Sequence, residues 1–224
     1  MQNLILASSS IYRQRMLGKI IHDFQWVKPN FEENHCITSS TGALAIDLAK
    51  GKALSVADKD PIYRQPGTTI IGCDQICWLG PEDSRKRGGN EQTERKTDES
   101  VRILHKPGNL EDAVDSLMAC RGKRVCYECG IQIISYPIET GSPDRTQSLS
   151  FSDAYWLQFR EFSEEEARRY CELDEPYDCA GAIKTESLGI RLIAKHEGED
   201  PHTLQGLPLI KLREALLRLR LSLD

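Results

Sequence analysis

The sequence contains no long hydrophobic run. Its first apolar stretch, Leu4 to Ala7, has only four residues, whereas a membrane span needs about 20 residues and a signal-peptide core about 7–15. We therefore expect a cytoplasmic chain with no membrane partner.

Positive charge is not in excess either. The chain has 29 Lys and Arg against 34 Asp and Glu, a formal net charge of -5 at pH 7. No global positive field would therefore attract the backbone of a nucleic acid. We predict no nucleic acid partner, and a polyanionic substrate would need locally placed cations or a metal ion.

Three common catalytic and cofactor motifs are missing from the sequence. There is no G-x-x-x-x-G-K-[ST], no G-x-G-x-x-G after a strand and no H-E-x-x-H. These absences exclude P-loop, Rossmann dinucleotide-binding and zincin classes.

Cysteine, by contrast, is present eight times. Without a secretion signal, free thiols are the favoured state. Cys126 and Cys129 have a zinc-knuckle spacing, but an offset of three on a predicted strand places the two sulfurs on opposite faces. Cys73 and Cys77 would share a face but lie about 13 Å apart. The sequence does not favour a structural zinc site.

Length and composition predict one soluble domain. The chain has 224 residues, of which 39% are hydrophobic and 28% charged, as in an ordinary globular protein. The stretch at about 80–100 offers no apolar residue to bury. We expect a single domain over residues 1–224 that carries a polar, mobile insertion at 80–100.

Hydrophobic patterning alternates between strands and helices along the chain. The predicted strands cover 4–7, 22–27, 68–79, 124–136, 147–159 and 189–195. The predicted helices follow Ser10, Asn109, Ser163 and Pro208, and a further one covers Thr41–Ala57. This order predicts an α/β fold with a mixed central sheet flanked by helices.

Asp74 is the most unusual residue of the predicted strands, because it stands in the apolar run 68–79. A carboxylate buried there costs several kcal/mol unless cations, donors or a metal stabilise it. Such a group is often functional. The alternative is a frayed strand end at which Asp74 is hydrated.

Two basic residues in the first quarter of the chain could face a phosphate. Arg13 follows Ser8–Ser10 at a strand-to-helix turn, where the hydroxyls either cradle a phosphate or only cap the helix. Lys52 borders a predicted core-facing stripe formed by Leu44, Leu48 and Leu54. It could lean over a cleft or only extend to solvent.

Lys106 and Glu33 are further candidates, each with a plain alternative. Lys106 lies in His-Lys-Pro-Gly, a rigid turn that could aim it, although a surface lysine is the commoner case. Glu33 follows Pro29 and is equally consistent with a solvated loop.

Several short motifs follow one another along the chain: Leu4–Ser10, Arg13, Pro29–Glu33, Leu48–Ala53, Ile71–Gln75, His105–Pro107, Cys179–Ala182 and Gly206–Leu209. Their order and spacing resemble the Maf family of nucleoside triphosphate pyrophosphatases. The resemblance spans nearly the whole chain apart from 80–100 and about 139–147.

The resemblance implies an inosine triphosphate pyrophosphatase-like α/β fold, a homodimer and a divalent cation, Mg²⁺ or Mn²⁺. It also implies cleavage of the α–β phosphoanhydride of a nucleotide. Asp74 matches the proton acceptor of the family. With Glu33, it would hold the metal. The resemblance further implies that the triphosphate is held by Ser8, Arg13, Lys52 and Lys106.

Within the family, the segments 73–77, 184–187 and 197–203 are most similar to the branch that hydrolyses 7-methyl-GTP. Tyr12, Gln75 and Glu186 match the specificity positions, and their chemistry suits a positively charged methylated guanine. The alternatives are a Maf pyrophosphatase for dTTP and UTP, and a non-catalytic nucleotide-binding regulator of cell division. Gln14 replaces an arginine common in the family, which implies weaker phosphate binding.

Overall fold

The computed structural model describes residues 3–33, 40–80, 101–138 and 146–219. The predicted insertion at 80–100 therefore lies outside the described residues, apart from Gly80. No helix in the described ranges is long and apolar enough to cross a membrane.

Seven strands and five α-helices form the described part of the chain. The strands are β1 (Asn3–Ala7), β2 (Gln25–Trp26), β3 (Thr68–Leu79), β4 (Arg102–Leu104), β5 (Arg124–Ser135), β6 (Gln147–Phe159) and β7 (Ile193–Glu197). The helices are α1 (Ile11–Leu17), α2 (Thr41–Ala57), α3 (Leu110–Cys120), α4 (Glu164–Asp174) and α5 (Leu209–Arg218).

The strands form one mixed sheet in the order β2-β1-β3-β5-β6-β7, with β4 also paired to β3. β1 runs parallel to both β2 and β3. β4 is antiparallel to β3, and β7 is antiparallel to β6. The predicted class, a mixed sheet with flanking helices, is confirmed.

The chain forms two compact units. The first comprises Met1–Gln75, Glu128–Asp153 and Asp200–Asp224, and the second comprises Ile76–Tyr127 and Ala154–Glu199. Strands β3, β5 and β6 supply residues to both. The single domain over 1–224 stays a prediction, and each unit is described by itself.

In the first unit, β1 is buried on both faces, which explains its uninterrupted apolar sequence. Leu4 and Leu6 belong to a core cluster with residues of α1 and α5. Ile5 and Ala7, which point the other way, belong to a second cluster with residues of α2. Helices therefore cover both faces of this strand.

Two glycines let α2 lie directly on the sheet. A Cβ on Gly72 would lie 2.1 Å from the carbonyl oxygen of Ala49, and one on Gly130 would lie 2.1 Å from that of Ala45. Any side chain there would push α2 outward. This close approach places the inner face of α2 against β3.

In the second unit, α3 packs against α4, and a bidentate ion pair joins them. Arg168 donates to both carboxylate oxygens of Glu111 at 2.6 and 2.8 Å. α4 begins with the predicted capping box, in which the Glu166 N–H donates to Ser163 Oγ and the Ser163 N–H donates to a Glu166 carboxylate oxygen.

Some element predictions were wrong. The strand predicted at 22–27 is only Gln25–Trp26. The strand predicted at 189–195 begins at Ile193, because Leu188–Leu192 form a 3-10 helix in which Gly189 N–H donates to the Lys184 carbonyl. β4 was missed since three residues carry no readable alternation.

Leu54 was wrongly placed in the core-facing stripe. It is 40% exposed, whereas Leu44 and Leu48 are buried. Six residues beyond Leu48, a helical side chain has rotated by about 240° from the stripe. Lys52, four residues beyond Leu48, stays on the buried face.

Candidate active site

Asp74 lies inside β3 and is only 5% exposed. The alternative of a frayed, hydrated strand end is therefore wrong. Every residue of β3 from Thr68 to Asp74 is buried. The carboxylate of Asp74 therefore lies in the first unit, at the end of a buried strand segment.

The two carboxylate oxygens of Asp74 have very different surroundings. Oδ1 accepts hydrogen bonds from Lys52 Nζ at 2.8 Å and from the main-chain N–H of Gln75 at 2.9 Å. Arg13 Nη2 lies 3.8 Å from the same oxygen. Oδ2 is buried and has no hydrogen-bond partner among the described residues. Buried acceptors are normally satisfied, so Oδ2 is the atom that a ligand would meet.

Lys52 reaches Asp74 from the buried face of α2. Its ammonium also lies 2.7 Å from Glu33 Oε1, so one cation is shared by two carboxylates. The segment that carries Glu33 rests on α2 at Gly51, where a Cβ would come within 2.2 Å of the Phe31 ring. Lys52 thus contacts both Asp74 and Glu33, and the roles of Lys52 toward phosphate and of Glu33 toward a metal stay predictions.

Arg13 is fixed by main-chain carbonyls. Its Nε donates to the Gly206 carbonyl at 3.1 Å, and its Nη1 donates to the Cys73 carbonyl at 2.9 Å. Burial opposes its charge, but the neighbouring acidic groups, Cys73 first and then Asp74, outweigh that cost and raise the pKa of Arg13. The guanidinium therefore stays charged, and two of its five N–H groups donate to main-chain carbonyls.

The serines at the start of α1 make capping contacts. Ser8 is buried, and its Oγ accepts from the Ser10 N–H at 3.2 Å. Ser10 Oγ accepts from the Arg13 N–H at 3.4 Å. The capping alternative accounts for these contacts, and a role of Ser8 toward phosphate stays a prediction.

Gln75 points to the opposite side of β3 from Asp74. Its amide nitrogen donates to the carbonyls of Thr203 and Leu204 at 2.6 and 3.1 Å. Both acceptors belong to residues 200–206, which we call the 200–206 turn. Gln75 is therefore tied to a segment more than one hundred residues away in sequence.

Lys106 and Glu186 belong to the second unit. Lys106 is exposed in the turn after β4, where the Gly108 N–H donates to the Tyr177 carbonyl at 2.9 Å. Glu186 is exposed in a loop whose neighbour Lys184 donates to the carbonyls of Asp174 and Glu175 at the end of α4.

The residues around Asp74 fit a divalent cation. Asp74 Oδ2 lacks a partner among the described residues, and Glu33 supplies a second carboxylate beside the same lysine. Mg²⁺ is commonly held by one or two carboxylates together with substrate phosphates. Within the described ranges, no three His, Cys, Asp or Glu side chains form a ready-made metal cluster, so substrate oxygens would complete the shell.

Similar proteins identify the family of this chain. Residues 3–219 match the family described as Maf-like protein. The chain belongs to the Maf family. It is 36% identical over 213 residues to a 7-methyl-GTP pyrophosphatase of Alcanivorax borkumensis, covering 95% of this chain and 92% of that protein. A protein of the same name from Vibrio cholerae is 34% identical over 218 residues, covering 96% of both chains.

The predicted enzyme class, a nucleoside triphosphate pyrophosphatase, is confirmed by this membership and by these relatives. Among solved structures, a HAM1 protein from Coxiella burnetii matches with a TM-score of 0.36 and 15% identity, over 71% of this chain and 73% of that one.

Sequence reasoning on this Maf protein used 197–203 and Gly206–Leu209 only as family signatures and did not predict that the 200–206 turn contacts Arg13, Cys73 and Gln75. Gly206 has φ of 91°, a left-handed conformation that favours glycine, and its carbonyl accepts from Arg13. Cys73 Sγ donates to the same carbonyl at 2.8 Å. The signal available in the sequence was the glycine two residues before Pro208, but its distant partners carry no linear pattern.

Proposed function

We propose that this Maf protein hydrolyses 7-methyl-GTP to 7-methyl-GMP and pyrophosphate, and so removes a modified nucleotide from the cellular pool. The names of the relatives at 32–36% identity support this substrate. The observation that carries the mechanism is the asymmetry of Asp74, whose Oδ1 is fully engaged and whose Oδ2 is buried without a described partner.

Asp74 acts as the general base through Oδ2. A water held by this oxygen attacks the α-phosphorus, and its proton passes to the carboxylate. The bond between the α-phosphorus and the bridging oxygen breaks, and pyrophosphate leaves with the bonding electrons. Because Lys52 and the Gln75 N–H fix Oδ1, the carboxylate is oriented before substrate arrives.

Cations around the acid offset the charge of the triphosphate. Lys52 has two carboxylates as partners, and Arg13 points its Nη2 at the same acid. Ser8 and Lys106 are proposed triphosphate contacts on the family resemblance. A divalent metal held by Glu33 and Asp74 would neutralise charge on the phosphate oxygens.

The base is proposed to be recognised by Tyr12 and Glu186. The 7-methylguanine ring is positively charged, so an aromatic face attracts it by a cation–π contact, and a carboxylate accepts hydrogen bonds from its N–H edge. Tyr12 lies on α1, one residue before Arg13, and Glu186 is an exposed carboxylate in an anchored loop.

Pyrophosphate release across a nucleotide panel tests the substrate. With Mg²⁺ or Mn²⁺, we expect kcat/KM for 7-methyl-GTP to exceed that for GTP about tenfold, the size of a partly desolvated cation–π contact. Equal or faster turnover of dTTP or UTP would contradict this proposal and favour the Maf branch that hydrolyses dTTP and UTP. Nucleotide binding without any pyrophosphate release would favour the non-catalytic regulator.

A homodimer and a cytoplasmic location remain predictions. Sedimentation of the purified protein tests the first, and fractionation of cells that express it tests the second.

A further inference from the structure

Glu186 belongs to a closed turn of four residues, 184–187, which we call the 184–187 turn. The Ser187 N–H donates to the Lys184 carbonyl at 3.1 Å, which is the hydrogen bond that closes a β-turn. The Gly189 N–H donates to the same carbonyl at 3.1 Å, and a Cβ on Gly189 would lie only 2.6 Å from that oxygen. The main chain on both sides of Glu186 is therefore fixed.

Lys184, the first residue of this turn, is attached to α4 by its main chain and by its side chain. Its N–H donates to the Tyr170 hydroxyl oxygen at 2.9 Å, and its ammonium donates to the carbonyls of Asp174 and Glu175 at 2.9 and 3.0 Å. The last carbonyls of a helix lack partners within the helix, and the helix dipole favours a cation beside them. The end of α4 is thus a specific anchor for this lysine.

Ser187, the last residue of the turn, is attached to the same helix end. Its hydroxyl donates to Asp174 Oδ1 at 2.6 Å. The Lys184 side chain is only 17% exposed, so its part of the attachment lies mostly out of water, where hydrogen bonds are stronger. Both ends of the turn are therefore held by α4, with Glu186 between them, and all of these residues belong to the second unit.

The side chain of Glu186 takes no part in this attachment. It is exposed, and its carboxylate has no hydrogen bond or ion pair with another residue that the structure describes. The turn therefore presents an available acceptor on a fixed main chain. Such a group loses less conformational freedom on binding a ligand than one on a flexible loop would lose.

We propose that Lys184 and Ser187 are positioning residues for base selection. By attaching the turn to α4, they hold the Glu186 carboxylate where it accepts hydrogen bonds from the guanine edge. The inference rests on the proposed function in taking Glu186 as a residue that recognises the base. Tyr12 and Gln75, which match the other specificity positions, belong to the first unit and keep their proposed roles.

Guanine and uracil offer different edges to a carboxylate. Guanine presents two adjacent donors, its ring N–H and its exocyclic amine, which match the two oxygens of one carboxylate. Uracil presents one N–H between two carbonyl oxygens, which repel a carboxylate. Displacement of Glu186 should therefore lower the ratio of kcat/KM for 7-methyl-GTP to kcat/KM for UTP, which we call the selectivity ratio.

The first test compares Lys184→Met with Glu186→Gln. We expect Glu186→Gln to lower the selectivity ratio about tenfold, because it removes the charged acceptor. Lys184→Met should lower the ratio about fivefold through a higher KM for 7-methyl-GTP, while kcat for 7-methyl-GTP and kcat/KM for UTP stay within about twofold of the wild type. A wild-type ratio in Lys184→Met, beside a lowered ratio in Glu186→Gln, would overturn the inference.

Lys123→Met is the matched control. Lys123 is an exposed lysine of the same unit, and its replacement removes the same charge. We expect the selectivity ratio and the KM for 7-methyl-GTP of this variant to equal those of the wild type. Thermal unfolding establishes that each variant is folded at the assay temperature. An equal fall of the ratio in the control would contradict a specific role of Lys184.

The second test concerns Ser187 and the coupling to Glu186. Ser187→Ala removes the hydroxyl that donates to Asp174, and we expect the ratio to fall about fivefold, the net effect of one hydrogen bond. Ser187→Thr retains the hydroxyl and should restore the wild-type ratio. In the Glu186→Gln background, neither Lys184→Met nor Ser187→Ala should lower the ratio further. A further loss there would show that they act without Glu186 and would refute the inference.

The Ser187 variants decide the question alone if Lys184→Met is unfolded at the assay temperature. Failure of the proposed function is separable, because the wild-type nucleotide panel measures it without any variant. An unchanged ratio in Glu186→Gln would reject the proposed role of Glu186, and the inference would fall with it.

Discussion

Lys52 is a single ammonium that serves two carboxylates. It lies 2.7 Å from Glu33 and 2.8 Å from Asp74, and the residue is only 8% exposed. Removing one partner of a buried ion pair leaves an uncompensated charge. We expect Lys52→Met to lower the free energy of unfolding by about 3 kcal/mol, measured by urea denaturation, and to lower kcat by at least about tenfold.

The matched control for this change is Lys50→Met, an exposed lysine on the same helix. It should change the free energy of unfolding by no more than about 0.5 kcal/mol and kcat by no more than about twofold. An equally stable Lys52→Met enzyme with wild-type kcat would mean that the lysine does not compensate Asp74.

At the residue scale, the sequence predicted Asp74 and Lys52 as candidate site residues but did not predict the contacts that surround them. Asp74 is visible because a carboxylate interrupts an apolar strand, and Lys52 because it continues the spacing of a buried helix face. The partners of Gln75 and Arg13 lie 128 and 193 positions away. No local pattern encodes such contacts, so the contacts of Gln75 and Arg13 with the 200–206 turn could be found only in the structure.

At the scale of elements, α2 sets the distance between Lys52 and Asp74. It lies on β3 because Gly72 has no side chain, and a Cβ there would meet the Ala49 carbonyl at 2.1 Å and the Ala53 Cβ at 2.8 Å. We expect Gly72→Ala to cost about 1–3 kcal/mol of stability through overpacking. It should also lower kcat by displacing Lys52.

Gly18→Ala is the control for that substitution. Its added methyl would meet only ordinary contacts at 3.5 Å, and its backbone is right-handed helical, with φ of -60°. We expect it to leave kcat unchanged. If Gly72→Ala proved as stable and active as Gly18→Ala, the close approach of α2 would not be what places Lys52.

The ion pair between α3 and α4 predicts a pH dependence of stability. Its hydrogen bonds from Arg168 lower the pKa of Glu111 below the ordinary value of 4.5. Because the folded pKa is the lower one, the stabilisation is present above the unfolded pKa and is lost as pH falls through the folded one. Thermal unfolding should therefore show Glu111→Gln less stable than wild type at pH 7 and equal to it near about pH 2.

Arg168→Gln gives the internal check on this pair. In that background, Glu111→Gln should cause no further fall in the unfolding midpoint at pH 7. A pH-independent difference between Glu111→Gln and wild type would show that packing, not the carboxylate, links the two helices.

Elements with a long, unambiguous pattern could be predicted closely. The ranges of α2, β3 and β6 were predicted as they are observed, because α2 and β6 have a periodic burial pattern and β3 is a long apolar run. β2, β4 and the region before β7 are short, and pairing or a 3-10 helix decides their conformation. Tertiary contacts overrode the local signal there.

At the scale of the whole molecule, burial makes the described cysteine thiols unreactive. The seven cysteines in the described ranges are free. Burial raises the pKa of Cys120 to about 12 and that of Cys171 to about 11. Burial likewise raises the pKa of Cys73 and Cys129. These thiols are therefore protonated at neutral pH and poorly nucleophilic.

We expect iodoacetamide at pH 8 to label these four thiols in the native protein at less than about a tenth of the rate in denaturant. Labelling should accelerate as pH rises toward 11. Peptide mass spectrometry resolves the sites, and rapid native labelling of Cys73 at pH 8 would contradict the buried environment described for it.

For the whole enzyme, we propose that Asp74 supplies the base and that its neighbours orient it and offset the charge of the triphosphate. The most direct measurement is kcat for pyrophosphate release from the wild type's preferred nucleotide by Asp74→Asn, beside Asp47→Asn, an exposed acid on α2. We predict a loss of about a hundredfold or more for Asp74→Asn, the usual contribution of a general base, and wild-type turnover for the control. Turnover by Asp74→Asn within about threefold of wild type would contradict the claim.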